Sequence, residues 1–83
     1  MTKFGLEILM VLNDKDITIP AKAMSISQIL EEIPVSKRKS YSTTYRHLQS
    51  MVEQGYVKCG LVDGLASTYF IAENGRIFCK AQN

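Results

Sequence analysis

Eighty-three residues, 46% apolar and 22% charged with a formal charge of +2, suit one domain of residues 1–83 and exclude disorder and collagen-like repeats. Two cysteines, Cys59 and Cys79, are too few for a secreted disulfide framework and lack the paired C-x-x-C clusters of a structural zinc site. No metal or other cofactor is expected, a reducing cytoplasm fits, and a charge so near balance argues at first sight against a polyanionic partner.

The amino terminus, with Lys3 ahead of Phe4 to Leu12, faintly imitates a signal peptide. Glu7 interrupts the apolar stretch, and Asp14-Lys15-Asp16 intervene before the small residues that would mark cleavage. Nothing approaches the roughly 20 apolar residues of a spanning helix, so no membrane association is expected.

In chain order, Phe4, Ile8, Val11 and Leu12 give Lys3 to Asn13 a helical stripe that Asn13 to Asp16 ends. Ile17 to Met24 reads as a connection in which Pro20 allows only extended or edge structure, with room for a short strand near Ala23-Met24. Ser25 followed by Gln28 is a capping box opening a second helix to about Glu32, with Ile26, Ile29, Leu30 and Ile33 on its buried face and Pro34 as its stop.

Ser40 can cap a third helix that continues to Gln54, with Gly55 closing it. At about 100° per residue from Thr44, the side chains of Tyr41, Leu48, Met51 and Val52 gather on a core arc. Lys39, Ser42, Thr43, Arg46, Ser50 and Glu53 fall opposite, so the outward face of the first turns is hydroxylated and cationic. His47 lies beside the core arc and is expected to pack structurally, and Tyr45 at its edge is open between packing and an outward hydroxyl contact. Beyond Gly55 the period becomes extended: Tyr56 to Val62 and Ser67 to Ile71, separated by Asp63-Gly64, predict a hairpin. A last helix from Glu73 to Ala81 is expected to bury Ile77 and Phe78, leaving Gln82-Asn83 frayed.

Partitioning the charge alters the first impression. From Ile33 to Val52 there is no acidic residue, and Lys37, Arg38, Lys39 and Arg46 give that segment +4. The remaining six basic and eight acidic residues leave −2 elsewhere. Such asymmetry suits a domain with one face turned to phosphates, although a basic run alone is most often a solvated turn.

The run has company. Met24-Ser25-Ile26-Ser27-Gln28-Ile29, then Ser40-Tyr41-Ser42-Thr43-Thr44-Tyr45-Arg46-His47-Leu48-Gln49-Ser50-Met51 and Gly55-Tyr56-Val57 resemble winged helix-turn-helix DNA-binding domains, especially small bacterial transcriptional regulators similar to the MarR and PadR families. Tyr69-Phe70-Ile71-Ala72-Glu73-Asn74-Gly75-Arg76 resembles the segment that leads from their wing into the last helix. The resemblance implies an α+β winged-helix fold, double-stranded DNA as partner and the third helix as recognition helix in the major groove. Arg46 then suits a bidentate guanine contact, and Ser42, Thr43 and Gln49 suit bases or phosphates. Lys37, Arg38, Lys39, Ser40, Tyr45 and Lys58 complete the implied DNA-binding set.

Two departures stand out. The turn from Pro34 to Lys39 is about four residues longer than the compact family version; if ordered it adds a phosphate clamp, and if mobile it costs entropy on binding. The wing tip, Val62 to Ser67, has no cation and contains Asp63, which leaves Leu61, Val62 and Leu65 as a candidate protein contact.

Enzyme chemistry has little to stand on: one histidine, no carboxylate pair beyond Glu31-Glu32, and no nucleophile elbow or intact phosphate loop. Both cysteines alternate with apolar neighbours and are expected as small core residues. The expectation is a DNA-binding regulator, in particular a repressor, acting as a homodimer through the first or last helix; a winged-helix protein-interaction module or an inhibitor of a nucleic-acid enzyme is the alternative.

Overall fold

The structure is a computed structural model that describes residues 1–62 and 64–82. Asp63, in the expected hairpin turn, and Asn83, at the expected frayed end, lie outside the described residues.

Helix α1 (Lys3–Asp14) starts where the Thr2 side chain accepts from the Gly5 N–H at 3.0 Å, and its stripe of Phe4, Ile8, Leu9 and Leu12 is buried. It ends in a Schellman arrangement: Asp16, at φ 53°, donates its N–H to the Asn13 carbonyl at 3.1 Å, and Ile17 donates to Leu12 at 2.9 Å. That turn drives Ile17 into the core, where its carbonyl accepts from the Ile71 N–H at 2.8 Å. The loop then makes a 3-10 turn at Pro20–Lys22 and reaches strand β1 (Met24–Ser25).

The capping box forms as expected. Ser25 accepts from the Gln28 N–H at 3.2 Å, and the Ser25 N–H donates to Gln28 Oε1 at 2.9 Å, opening helix α2 (Ile26–Glu31). A second 3-10 turn, Val35–Lys37, leads to helix α3 (Tyr41–Glu53). Gly55, at φ +82°, closes α3: its N–H donates to Val52 and the Tyr56 N–H to Met51.

Strands β2 (Val57–Cys59) and β3 (Thr68–Ile71) are antiparallel, with Lys58 opposite Phe70, and β1 pairs on the other side of β3 with Met24 opposite Tyr69. The sheet order is β1-β3-β2. The strands are shorter than the hairpin expected from Tyr56 to Val62 and Ser67 to Ile71; Leu61, Val62, Leu65 and Ser67, beyond their ends, are exposed. Helix α4 (Glu73–Ala81) returns against α1.

One apolar cluster unites these layers: Ile8, Leu9 and Leu12 from α1, Ile26 and Ile29 from α2, Leu48 and Met51 from α3, and Val57, Tyr69 and Ile71 from the sheet. Each such side chain contributes about 1.5 to 3 kcal/mol by leaving water. Their burial holds α3 in place between α1, α2 and β2.

Three expectations are corrected here. Tyr41 is 55% exposed, not core. It is the first residue of α3, and helical side chains lean toward the N-terminus, so its ring overhangs the end of the helix; Thr44, one turn on, takes the buried position. Ile77 is exposed, because α4 turns Gly75 and Cys79 inward and Ile77 lies about 200° from Gly75; Phe78 is half-buried. Cys59 is also exposed, at the end of β2 where the core runs out, whereas Cys79 is fully buried.

Candidate nucleic-acid interface

An exposed, hydroxylated and cationic face is built on the first two turns of α3. Ser40 is the N-cap, its Oγ accepting from the Thr43 N–H at 3.1 Å and donating to Thr43 Oγ1 at 3.0 Å. The buried Thr44 anchors the same turn from beneath, donating from Oγ1 to the Ser40 carbonyl at 2.8 Å. Arg46 Nη2 reaches Thr43 Oγ1 at 3.4 Å, so a hydroxyl chain from the cap steers the guanidinium along the outer surface. Ser42, Tyr45 and Arg46 are exposed, and Tyr41, Ser42, Tyr45 and Arg46 ring one shallow hollow. Thr43 and Gln49 are half-buried on its flanks. Tyr45, left open by periodicity, turns outward.

The long turn before α3 is ordered by its own bonds. Lys37 donates its N–H to Pro34 at 2.8 Å, and the Arg38 guanidinium turns back, Nε to the Ile33 carbonyl at 2.7 Å and Nη2 to the Glu31 carbonyl at 3.2 Å. Arg38 thereby satisfies carbonyls left open at the end of α2, a structural task that the sequence pattern gave no sign of. Lys37 and Lys39 are exposed, with Lys37 Nζ 3.4 Å from Glu7 Oε1 of α1. His47 packs as expected: its ring meets Phe4 edge-on at 5.3 Å, and Nδ1 lies 3.2 Å from the Thr2 hydroxyl. Lys58 is exposed on β2, away from the α3 cluster in sequence and element.

In the wing, the apolar side chains of Leu61, Val62 and Leu65 stand at 65, 68 and 105% exposure. Its base is fastened by the Gly60 N–H donating to Thr68 at 2.9 Å and by the Thr68 hydroxyl donating to the Leu61 carbonyl. Beneath the junction of wing and α3 lies Tyr69, fully buried, its hydroxyl without a hydrogen-bond partner among the described residues. Burial pushes its ionisation upward, reinforced by Cys59; the Ser67 side chain lies close enough to pull the value back slightly without meeting bonding geometry. No group of histidines, cysteines and carboxylates able to hold a metal occurs among the described residues. Nor is any described helix long and apolar enough to cross a membrane.

Helix, short strand, helix, exposed capped helix, two-stranded wing and closing helix define a winged helix-turn-helix fold. Solved structures share it. The DNA-binding TubR fragment from Clostridium botulinum matches at 25% identity over 100% of this chain and 98% of its own, with a TM-score of 0.75. The S. aureus MepR structure, a complex with DNA, matches at 11% identity and TM-score 0.77 over 99% of this chain and 61% of its own. A protein of Archaeoglobus fulgidus matches at 17% identity and TM-score 0.75, covering 99% of this chain and 84% of its own. No protein-family model and no curated protein matches the sequence.

Proposed function

We propose that this chain is a sequence-specific, non-enzymatic DNA-binding transcriptional regulator of the cytoplasm, a repressor that occupies an operator with α3 in the major groove. The observation that carries the reading is the outer surface of α3: Ser42, Tyr45 and Arg46 are exposed on a helix capped by Ser40, in a segment without acids and next to exposed Lys37 and Lys39. A helix entering the major groove presents its N-terminal residues to base edges, and nearby cations meet phosphates. Arg46 is assigned to a guanine edge, Ser42, Thr43 and Gln49 to bases or phosphates, and the Tyr45 hydroxyl to a phosphate. The DNA-binding TubR fragment and the MepR–DNA complex support DNA as the partner. One such module makes few base contacts, so a homodimer on a two-fold operator is part of the proposal.

Selection of bound sequences from random DNA, repeated with Arg46→Ala, tests this. The variant should lose about 1 to 3 kcal/mol on the selected site and relax preference at one base pair. Equal loss on every sequence would reduce Arg46 to a phosphate contact, and no enriched sequence for the native protein would remove sequence specificity.

A second reading draws on the exposed Leu61, Val62 and Leu65, which suit a protein partner better than a phosphate. Sedimentation of the native protein and of Leu65→Lys distinguishes a self-association surface, whose mass falls in the variant, from a wing that plays no part in assembly.

A further inference from the structure

We propose that the contact surface for DNA extends beyond α3 on the side of α1, through a cationic hollow formed by Lys3, Lys37 and Lys39, and not over the wing. This rests on the DNA-binding reading above and adds to it a phosphate contact, Lys3, that lies outside the helix-turn-helix.

Lys3, Phe4, Glu7, Lys37 and Lys39 line one hollow of about 270 Å³. The neighbouring hollow is lined by Thr2, Thr43, Arg46, His47 and Ser50, so the first turn of α1 abuts the outward flank of α3. The contact of His47 with Phe4 and with the Thr2 hydroxyl fixes that turn in position. Lys3 is therefore carried on a packed helix beside the Arg46 surface and is not on a loose terminus.

Charge favours this flank. Glu7 engages Lys37 at 3.4 Å and offsets part of the positive field, but Lys3 and Lys39 have no carboxylate partner among the described residues. In the wing, by contrast, Lys58 is the only lysine or arginine between Tyr56 and Ile71, and the stretch from Val62 to Ser67 contains no cation and one acid, Asp63. A polyanion gains counterion release for each lysine that meets a phosphate, and the α1 side offers three lysines where the wing offers one.

Binding of a labelled mixed-sequence duplex, measured across salt for the native protein, Lys3→Gln and Lys58→Gln, tests the inference. Lys3→Gln should reduce the magnitude of the log–log salt slope by about 0.9, while Lys58→Gln leaves it unchanged. Lys3 is exposed, so the melting temperature should stay at the native value and confirm an intact fold. A native slope for Lys3→Gln, or an equal reduction for Lys58→Gln, overturns the extended footprint alone. Absence of salt-dependent binding by the native protein overturns it together with the DNA-binding reading.

Discussion

Arg38 Nε donates to the Ile33 carbonyl oxygen at 2.7 Å, folding a cation of the basic turn back onto the end of α2. Its Nη2 bond to the Glu31 carbonyl makes the guanidinium a clasp across the turn. The side chains of Lys37 and Lys39, on either side, make no such backbone bond among the described residues, Lys37 reaching Glu7 instead. The three adjacent cations thus divide between holding the turn and facing outward.

Arg38→Ala should therefore lower stability by about 1 kcal/mol, below the roughly 1.5 to 3 kcal/mol of a buried charged donor because the side chain is exposed. For a domain of this size that is a melting shift of about 4 to 8 °C. Arg38→Lys should recover little of it, since an ammonium cannot span two carbonyls with a planar fork. Thermal denaturation of both variants gives the answer; a native melting temperature for Arg38→Ala would show that the clasp contributes nothing.

Two glycines should respond to alanine for different reasons. Gly55 is in the left-handed region, and an added Cβ would meet Asn74 Nδ2 at 3.6 Å, an ordinary van der Waals contact, so Gly55→Ala should cost about 1 to 2 kcal/mol through conformation alone. At Gly75 a Cβ would collide with the Tyr56 carbonyl oxygen and the Ile71 side chain. Gly75→Ala should be the more damaging, by forcing α4 off the sheet. Urea unfolding of the pair ranks them, and the reverse order would contradict the packing described.

Alkaline stability follows from buried hydroxyl and thiol groups. Burial raises Tyr69 above its ordinary 10.0 and Cys79 above its ordinary 9.0. In each case the folded state keeps a proton that the unfolded state gives up, so their contribution is intact below those ordinary values and is lost as pH rises through the folded ones. Unfolding midpoints should fall progressively above about pH 9. Tyr69→Phe should flatten the upper part of that fall, and at neutral pH it should be neutral or stabilising by up to about 1 kcal/mol, since the hydroxyl it removes is buried without a partner. A loss above about 2 kcal/mol would show that the hydroxyl is satisfied after all.

Tyr41 and Leu48 share an arc of α3 and should differ sharply. Tyr41→Ala should stay within about 0.5 kcal/mol of native stability, whereas Leu48→Ala, at a fully buried site, should cost about 2 to 5 kcal/mol. Denaturant titration compares them directly, and similar losses would place the Tyr41 ring in the core.

The helices were legible because their signals are local: the Ser25–Gln28 box, the Ser40 cap and Gly55 each act within one turn. Tyr41 misled for want of an end effect, since angular position on a helix does not say where the neighbouring core stops. The exposure of Cys59 and Ile77 likewise depends on how far the sheet and α1 extend beneath them. Within the candidate site, the face of α3 follows from periodicity, and Arg46 is found where its position on that face requires. The clasp of Arg38 and the meeting of Lys3 with Lys37 and Lys39 were hidden, because they depend on packing between α1 and a turn remote in sequence.

Titration of duplex DNA with the purified protein over a range of salt concentrations most directly tests whether the exposed cationic face binds phosphates. Each phosphate neutralised contributes about −0.9 to the log–log slope, so several contacts predict a value of roughly −3 to −5. A slope near zero, or no binding to any duplex including its own promoter region, would contradict DNA recognition by this domain.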